Sequence, residues 1–321
     1  MPGTVQNIED SLRSVRENLS AAMSGIDPAV FDFGRFSFSF IGKAARARFT
    51  ILAGDALGLD RGKSVRLASA AELTHTASLL HDDCIDLARR RRDLPTLNDK
   101  LGVNTAILVG DLVVALAFGQ ANGVSPDLAQ ELILAIKRMT EGALLEENAK
   151  GRKISAEEAG RIVELKTGAL FRWCALAACR MSGRPELLGT CARIGADTGA
   201  AFQVIDDVLD FEGDADACGK ETLKDIKEGK FTLPLILALN DPAAGPAAEE
   251  LLSAMKTGPE ADLSAAVELA GLVRSGGFSA QARQSASAKI RGLFPLIDEL
   301  PGAEGAAALK DFLLTLGERT A

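Results

Sequence analysis

The sequence predicts an all-α fold: one large helical bundle over residues 1–321, with a central cavity lined by two aspartate-rich motifs. Three observations carry that expectation. Apolar residues recur every three to four positions along most of the chain, the period of a helix with one buried face. Alanine and leucine dominate these segments and β-branched runs are few, which favours helix over strand. No Ser/Gly-rich or Pro-rich stretch divides the chain, and no internal repeat is visible, so neither a linker nor a solenoid is expected.

Taken in order, Val5, Ile8, Leu12, Val15, Leu19 and Met23 step by threes and fours, predicting an amphipathic first helix that stops near Gly25 and Pro28. Phe36-Ser37-Phe38-Ser39-Phe40 alternates as a short strand would, and is read as a bend feeding Gly42. A second helix is expected over Ala44–Leu57 and a third over Ser64–Leu87, broken before Pro95. Helical patterns follow at 104–122, 126–150, 155–182 and 186–212. A polar loop then runs from Glu212 to Glu228, and an apolar helix starts near Leu233. Short helices between Gly and Pro breaks (Gly245-Pro246, Gly258-Pro259, Gly276-Gly277, Pro301-Gly302) complete the chain.

Composition narrows the function. A hydrophobic content of 47% is ample for a sizeable core. The formal charge of −8 argues against a general nucleic-acid binder, because phosphate backbones call for a basic surface. Cys84, Cys174, Cys179, Cys191 and Cys218 are odd in number and form no Cys-x-x-Cys pair, which reads as reduced thiols in a cytoplasmic protein. With Glu9, Asp10, Glu17 and Asp27 in the first thirty residues, no signal peptide is expected there. No uninterrupted apolar run reaches about 18 residues, so no membrane span is expected.

The chemistry lies in a pattern that occurs twice. Asp82-Asp83-Cys84-Ile85-Asp86 and Asp206-Asp207-Val208-Leu209-Asp210 are both Asp-Asp-x-x-Asp, each at the end of an apolar helical run. On a helix the first and last Asp of each are i,i+4 neighbours whose carboxylates leave one face. Like charges so placed repel, and a cleft would sharpen the repulsion, so a cation is called for. A hard divalent ion with oxygen ligands fits, Mg²⁺ above all and Mn²⁺ as an alternative, at about three ions for six carboxylates. Basic residues gather at the same two places: Arg89, Arg90, Arg91 and Arg92 after the first motif, and Lys220, Lys224, Lys227 and Lys230 after the second. Carboxylates that hold Mg²⁺ beside cations that grip phosphate make a diphosphate site. A single acidic motif or a single charge run is ordinarily solvated surface; two copies, each with its own basic cluster, favour metal and phosphate.

The residues around these motifs resemble the trans-type polyprenyl diphosphate synthases. His75-Thr76-Ala77-Ser78-Leu79-Leu80-His81-Asp82-Asp83, with Arg91-Arg92 and Pro95-Thr96, is similar to that family's first aspartate-rich region. Phe202-Gln203-Val204-Ile205-Asp206-Asp207-Val208-Leu209-Asp210, with Gly219-Lys220, Asp225, Glu228-Gly229-Lys230 and Leu233-Pro234, is similar to the second. Gly42-Lys43, Arg46, Gly110-Asp111 and Lys166-Thr167 agree in order and spacing. The likeness covers residues 40–240 and fades toward the end of the chain. It implies an isoprenoid-synthase bundle, usually homodimeric, with the apolar segments 104–122 and 126–150 as candidate interface.

The resemblance also implies a reaction. Mg²⁺ on Asp82, Asp86 and Asp206, with Asp83, Asp207 and Asp210 supporting, would bind an allylic diphosphate (dimethylallyl, geranyl or farnesyl). Arg91, Lys166 and Lys220, with Lys230 nearby, would draw off the diphosphate and leave an allylic cation, which Thr167 and Gln203 would stabilise. Isopentenyl diphosphate would sit on Lys43, Arg46, His75 and Arg92. The chain departs from the family at Ala44-Ala45, at Asp93-Leu94 and at Arg89, which bears on fine geometry more than on reaction class. Ala77 and Ser78, one turn before Asp82, are small where short-chain members often carry an aromatic block. With no insertion between Asp82 and Asp86, a product of twenty carbons or more is expected, Thr74 and Phe118 being candidates for the tunnel floor. A class I terpene cyclase and a non-catalytic partner subunit are the competing readings. The first normally has a different second metal motif, and the second tends to lose one aspartate motif. His81 is expected either to orient Asp82 or to cap packing, Cys84 to be a small packing residue, and Trp173 to be core.

Overall fold

A computed structural model describes residues 2–35, 42, 44–91, 94–213, 223–255 and 263–318, with the side chains of 2–7 and 263 left undescribed. The expected bend at Phe36–Phe40 therefore lies outside the described residues, as do Lys43, Arg92, Cys218 and Lys220. The described chain is almost wholly helical. Its helices are α1 (Pro2–Ser24), α2 (Ala45–Leu57), α3 (Arg61–Ile85), α4 (Leu97–Leu101), α5 (Val103–Asn122), α6 (Pro126–Ala149), α7 (Ala156–Val163) and α8 (Ala169–Met181). They continue as α9 (Leu188–Glu212), α10 (Lys224–Lys227), α11 (Leu233–Asn240), α12 (Gly245–Ala254), α13 (Leu263–Ser275), α14 (Phe278–Gly292), α15 (Phe294–Asp298) and α16 (Ala303–Gly317). A two-residue hairpin, β1 (Arg90–Arg91) against β2 (Leu94–Pro95), is antiparallel with Arg90 opposite Pro95.

Contacts divide the chain into two compact units, Met1–Ile136 with Leu170–Gly195 and Leu296–Lys310, and Lys137–Ala169 with Ala196–Pro295 and Asp311–Ala321. In the first, α3 packs against α1, α2 and α5. Its core includes Leu12, Val15, Phe49, Ile51, Leu67, Leu73, Val113 and Phe171, all essentially buried. Phe49 meets Phe171 edge to face at 5.4 Å, and Trp173, a core residue as expected, donates its indole N–H to the Leu128 carbonyl at 3.2 Å. In the second unit α11, α12, α13 and α14 enclose Phe211, Leu235, Leu239, Leu269, Val273 and Phe278.

The α5 helix buries only one of its faces. Ala106, Val109, Gly110, Val113, Ala117 and Ala121 form the buried face at helical spacing, while Ile107 and Leu108 remain 41% and 68% exposed. Only 28% of this apolar stretch is buried. It is also the one described helix long and apolar enough to cross a membrane by length and composition, although no uninterrupted run marks it: Asn104, Thr105 and Asp111 break the run without lowering the average enough.

Candidate active site

The first aspartate motif ends α3. Asp60 caps the start of that helix by accepting the Lys63 N–H at 3.0 Å, and Asp86 stands at its C-cap. The chain leaves through Leu87, held at φ 51°, with the Ala88 N–H returning to the Asp83 carbonyl at 3.0 Å. A glycine would be at ease there; leucine is strained, and its side chain is exposed. This exit turns the chain into the β1–β2 hairpin and brings Arg91 back onto the motif. Arg91 Nε donates to both oxygens of Asp83 at 2.9 and 3.1 Å and Nη2 to one at 2.7 Å, a fork–fork pair on a carboxylate that is buried. Burial works against the Arg91 charge, but the bonds to Asp83 and the fields of Asp83, Asp82 and Asp86 outweigh it and raise its pKa. All three aspartates thus act on one guanidinium. Thr96 and Asn98 both donate to the Ala88 carbonyl, at 2.6 and 2.9 Å, which pins the far end of the hairpin.

His81, one residue before the motif, is drawn to α5. Its Nε2 lies 3.2 Å from the Ile107 carbonyl and 3.4 Å from Asp111. That approach requires Gly110, because a Cβ there would collide with the imidazole. These contacts tie His81 to α5. Cys84 is a buried packing residue as expected; burial, then Asp83, raises its thiol pKa. Higher on α3, Thr74 and Ala77 are buried while His75 and Ser78 are half-buried, and Phe118 on α5 is half-buried too. Arg46, in the first turn of α2, stacks its guanidinium 5.3 Å from the centre of the Phe171 ring.

The second motif ends α9, where Ala201, Ile205, Val208 and Phe211 are buried. Here sequence periodicity predicted a single helix over 155–182, and the structure differs. Glu164–Gly168 form a π-helical turn between α7 and α8, and it carries Lys166 and Thr167. Gly142 on α6 makes room for it, since a Cβ at 142 would run into the Lys166 backbone nitrogen. One turn further along α6, Glu146 takes the Lys166 ammonium in a short ion pair. Thr167 donates its hydroxyl to Gln203 Oε1 at 2.7 Å, and Gln203 Nε2 donates to Asp207 at 2.9 Å. The two residues expected beside the allylic cation are therefore linked to each other and to the buried carboxylate of the motif.

Asp210 is engaged differently. Its two oxygens accept the backbone N–H groups of Lys224 and Asp225, at 3.1 and 3.0 Å, across the entry to the one-turn helix α10. Lys230 closes the group, 2.6 Å from Glu228 and 3.8 Å from both Asp225 and Glu146. The carboxylates press on one another. Burial, then Asp225, raises the Asp207 pKa well above the ordinary range, against the Gln203 bond. Burial, then Asp210, pushes Asp225 up to about 7, although Lys230 opposes the shift and 22% of the side chain reaches solvent. Burial also raises Asp210, against its two backbone bonds. Asp206 is half-buried. Glu146, Asp225 and Glu228 were not among the expected site residues. The last two stood inside a quoted segment, whereas nothing in sequence marks Glu146 except its place one turn after Gly142.

Among the described residues no three acidic, imidazole or thiol groups stand close enough to hold a metal by themselves. The donor chemistry nonetheless suits Mg²⁺, which takes one or two carboxylates and completes its shell with water and substrate phosphate oxygens. Mutually repelling buried carboxylates beside lysines fit an ion that arrives with its anion.

Comparison with known proteins agrees in sequence and in structure. Residues 32–270 match the family model described as polyprenyl synthetase. The nonaprenyl diphosphate synthase of Mycobacterium tuberculosis is 29% identical over 307 residues, covering 94% of this chain and 91% of that protein. The octaprenyl diphosphate synthase of Escherichia coli is 31% identical over 244 residues, covering 72% and 76%. Among solved structures, a polyprenyl synthase from Caulobacter crescentus, complexed with calcium and isoprenyl diphosphate, superposes with a TM-score of 0.90 at 26% identity, over 99% of this chain and 97% of that one.

Proposed function

The chain belongs to the polyprenyl synthetase family, and from that premise we propose how its residues lengthen an allylic diphosphate with isopentenyl diphosphate. It is a prenyltransferase, with relatives that make all-trans products from twenty to fifty carbons. The observation that carries the residue assignment is the bonded group Lys166–Glu146–Lys230 beside Thr167–Gln203–Asp207.

In this reading Lys166, Lys230, Lys220 and Arg91 receive the diphosphate of the allylic substrate. As the C–O bond breaks, negative charge grows on the departing oxygen and is met by fixed ammonium and guanidinium groups. The allylic carbon becomes a cation, which the Thr167 and Gln203 oxygen dipoles favour. The double bond of isopentenyl diphosphate, held by Lys43, Arg46, His75 and Arg92, attacks it to form the new C–C bond. Loss of a proton to the released diphosphate restores the alkene. Arg46, held with its guanidinium carbon 5.3 Å from the Phe171 ring centre, keeps N–H donors with which to meet an anion. Mg²⁺, with Mn²⁺ as a substitute, would be held by Asp82, Asp86 and Asp206 with Asp83, Asp207 and Asp210 in support, about three ions in all, and supplies charge neutralisation of the leaving group when bound. The calcium and isoprenyl diphosphate named for the Caulobacter protein support that assignment.

We further propose one polyprenyl synthase domain over the whole chain, working in the cytoplasm, where Cys84, Cys174, Cys179 and Cys191 stay reduced as they are here. The exposed Ile107 and Leu108 of α5 and Ile133 and Leu134 of α6 are taken to meet a second copy in a homodimer. A sedimentation coefficient of a monomer at micromolar concentration, or binding of the protein to lipid vesicles through that face, rules the dimer out.

The test of function is product analysis with isopentenyl diphosphate, Mg²⁺ and the five-, ten- and fifteen-carbon allylic diphosphates in turn. Linear diphosphates of twenty carbons or more are expected, and Ala77→Phe should shorten them. A cyclic hydrocarbon would favour a cyclase, and no turnover a non-catalytic subunit.

A further inference from the structure

Glu146 is in neither aspartate motif, yet one of its oxygens serves two lysines. Oε2 pairs with the Lys166 ammonium and lies 3.8 Å from Lys230 Nζ. The two lysines come from separate segments, the π-helical turn and the stretch after α10. Side-chain exposures of 22%, 26% and 12% for Glu146, Lys166 and Lys230 place this exchange of charge in a sheltered setting, where solvent screens it less than on open surface. Gly142 and Glu146 are i,i+4 on α6, so the residue that admits the π turn and the residue that binds its lysine share one helix face.

We propose that Glu146 is a positioning residue: a built-in counter-ion that gathers Lys166 and Lys230 in the unliganded protein and yields them to the substrate's diphosphate. The inference rests on the reading above in which those lysines grip that group. Two ammonium groups brought together repel unless an anion lies between them. A diphosphate offers more oxygens and more charge than one carboxylate, so it displaces Glu146 from the pair. The displaced carboxylate, of like sign, then limits how tightly the diphosphate is held. The consequence falls at the end of each cycle, when one diphosphate has to leave. Glu146 retakes both lysines and so assists its departure.

The experiment is a calorimetric titration of metal-free protein with inorganic diphosphate, alongside inhibition of the wild-type reaction by the same anion. Glu146→Gln keeps the shape and one acceptor but loses the charge. It should bind diphosphate roughly three- to tenfold more tightly, and inhibition by diphosphate should deepen by a similar factor. Glu146→Asp keeps the charge at shorter reach and should stay closer to wild type. Thermal unfolding confirms that each variant is folded. Unchanged or weaker diphosphate binding by folded Glu146→Gln overturns the proposal. Tighter binding in a protein that makes no polyprenyl product leaves the counter-ion role standing and removes the prenyl-transfer reading instead.

Discussion

Both aspartate motifs close a long apolar helix, but their carboxylates are handled in different ways. At the end of α3 the buried Asp83 receives three hydrogen bonds from Arg91, delivered by a hairpin that begins only a few residues later. At the end of α9, burial raises the pKa of Asp207, Asp210 and Asp225, helped by Asp225 at Asp207 and by Asp210 at Asp225, and Lys230 is shared among Glu146, Glu228 and Asp225. The contrast separates two uses of the same five-residue pattern. In one a buried carboxylate is matched by a guanidinium, and in the other burial and neighbouring carboxylates favour taking up a proton.

The comparison is broken most directly by activity. On the proposed reading, in which both motifs hold the ions that neutralise the leaving diphosphate, Asp82→Ala and Asp206→Ala should each lower kcat by on the order of a thousandfold. A loss at only one of them would assign the chemistry to that motif alone. Stability should split the pair next. Arg91→Leu leaves Asp83 buried without its fork, and urea unfolding should show a loss of roughly 2–3 kcal/mol.

The second cluster should behave oppositely. Asp225 has its folded pKa raised from 3.8 to about 7, so the folded state binds the proton more tightly than the unfolded chain does. The stability this confers is complete below the unfolded pKa and is lost as pH rises through about 7. Thermal unfolding in a chelator should therefore give a lower Tm at about pH 8 than at about pH 5.5, with Mg²⁺ and diphosphate together restoring it. Asp225→Asn should flatten that slope and stabilise the metal-free protein at the higher pH by about 1–2 kcal/mol. The smallest effect belongs to the exit from α3. Leu87→Gly relieves a left-handed leucine and should add about 0.5–1 kcal/mol, read by the same unfolding curves.

The helices that carry the motifs were legible because their apolar periodicity is strong and each ends in charge. Their ends were less so. Asp60 caps α3 four residues before the expected start at Ser64, and Leu87 ends it two residues early by adopting a conformation that leucine rarely takes. The hairpin after it has strands of two residues, too short for an alternating pattern to register. The one-turn helix α10 falls inside the expected polar loop for the same reason of length. Glu146 could not be read at all, because its partners are set by how α6 packs on the π turn rather than by any local spacing. The motifs themselves are plain in the sequence, but not that Asp210 would spend both oxygens on the α10 backbone.

The π-helical turn also bears on how this chain is to be altered. A π turn holds one residue more than the α-helical turn it replaces, and each residue advances an α-helix by about 100°. Deleting Leu165 alone would let α7 and α8 fuse into one regular helix, rotated by that angle on one side of the join. Such a protein would keep its helical content and much of its core. Lys166 and Thr167 would swing off the face that meets Glu146 and Gln203, so a single-codon deletion acts here as a rotation switch that disarms the site while leaving the bundle folded.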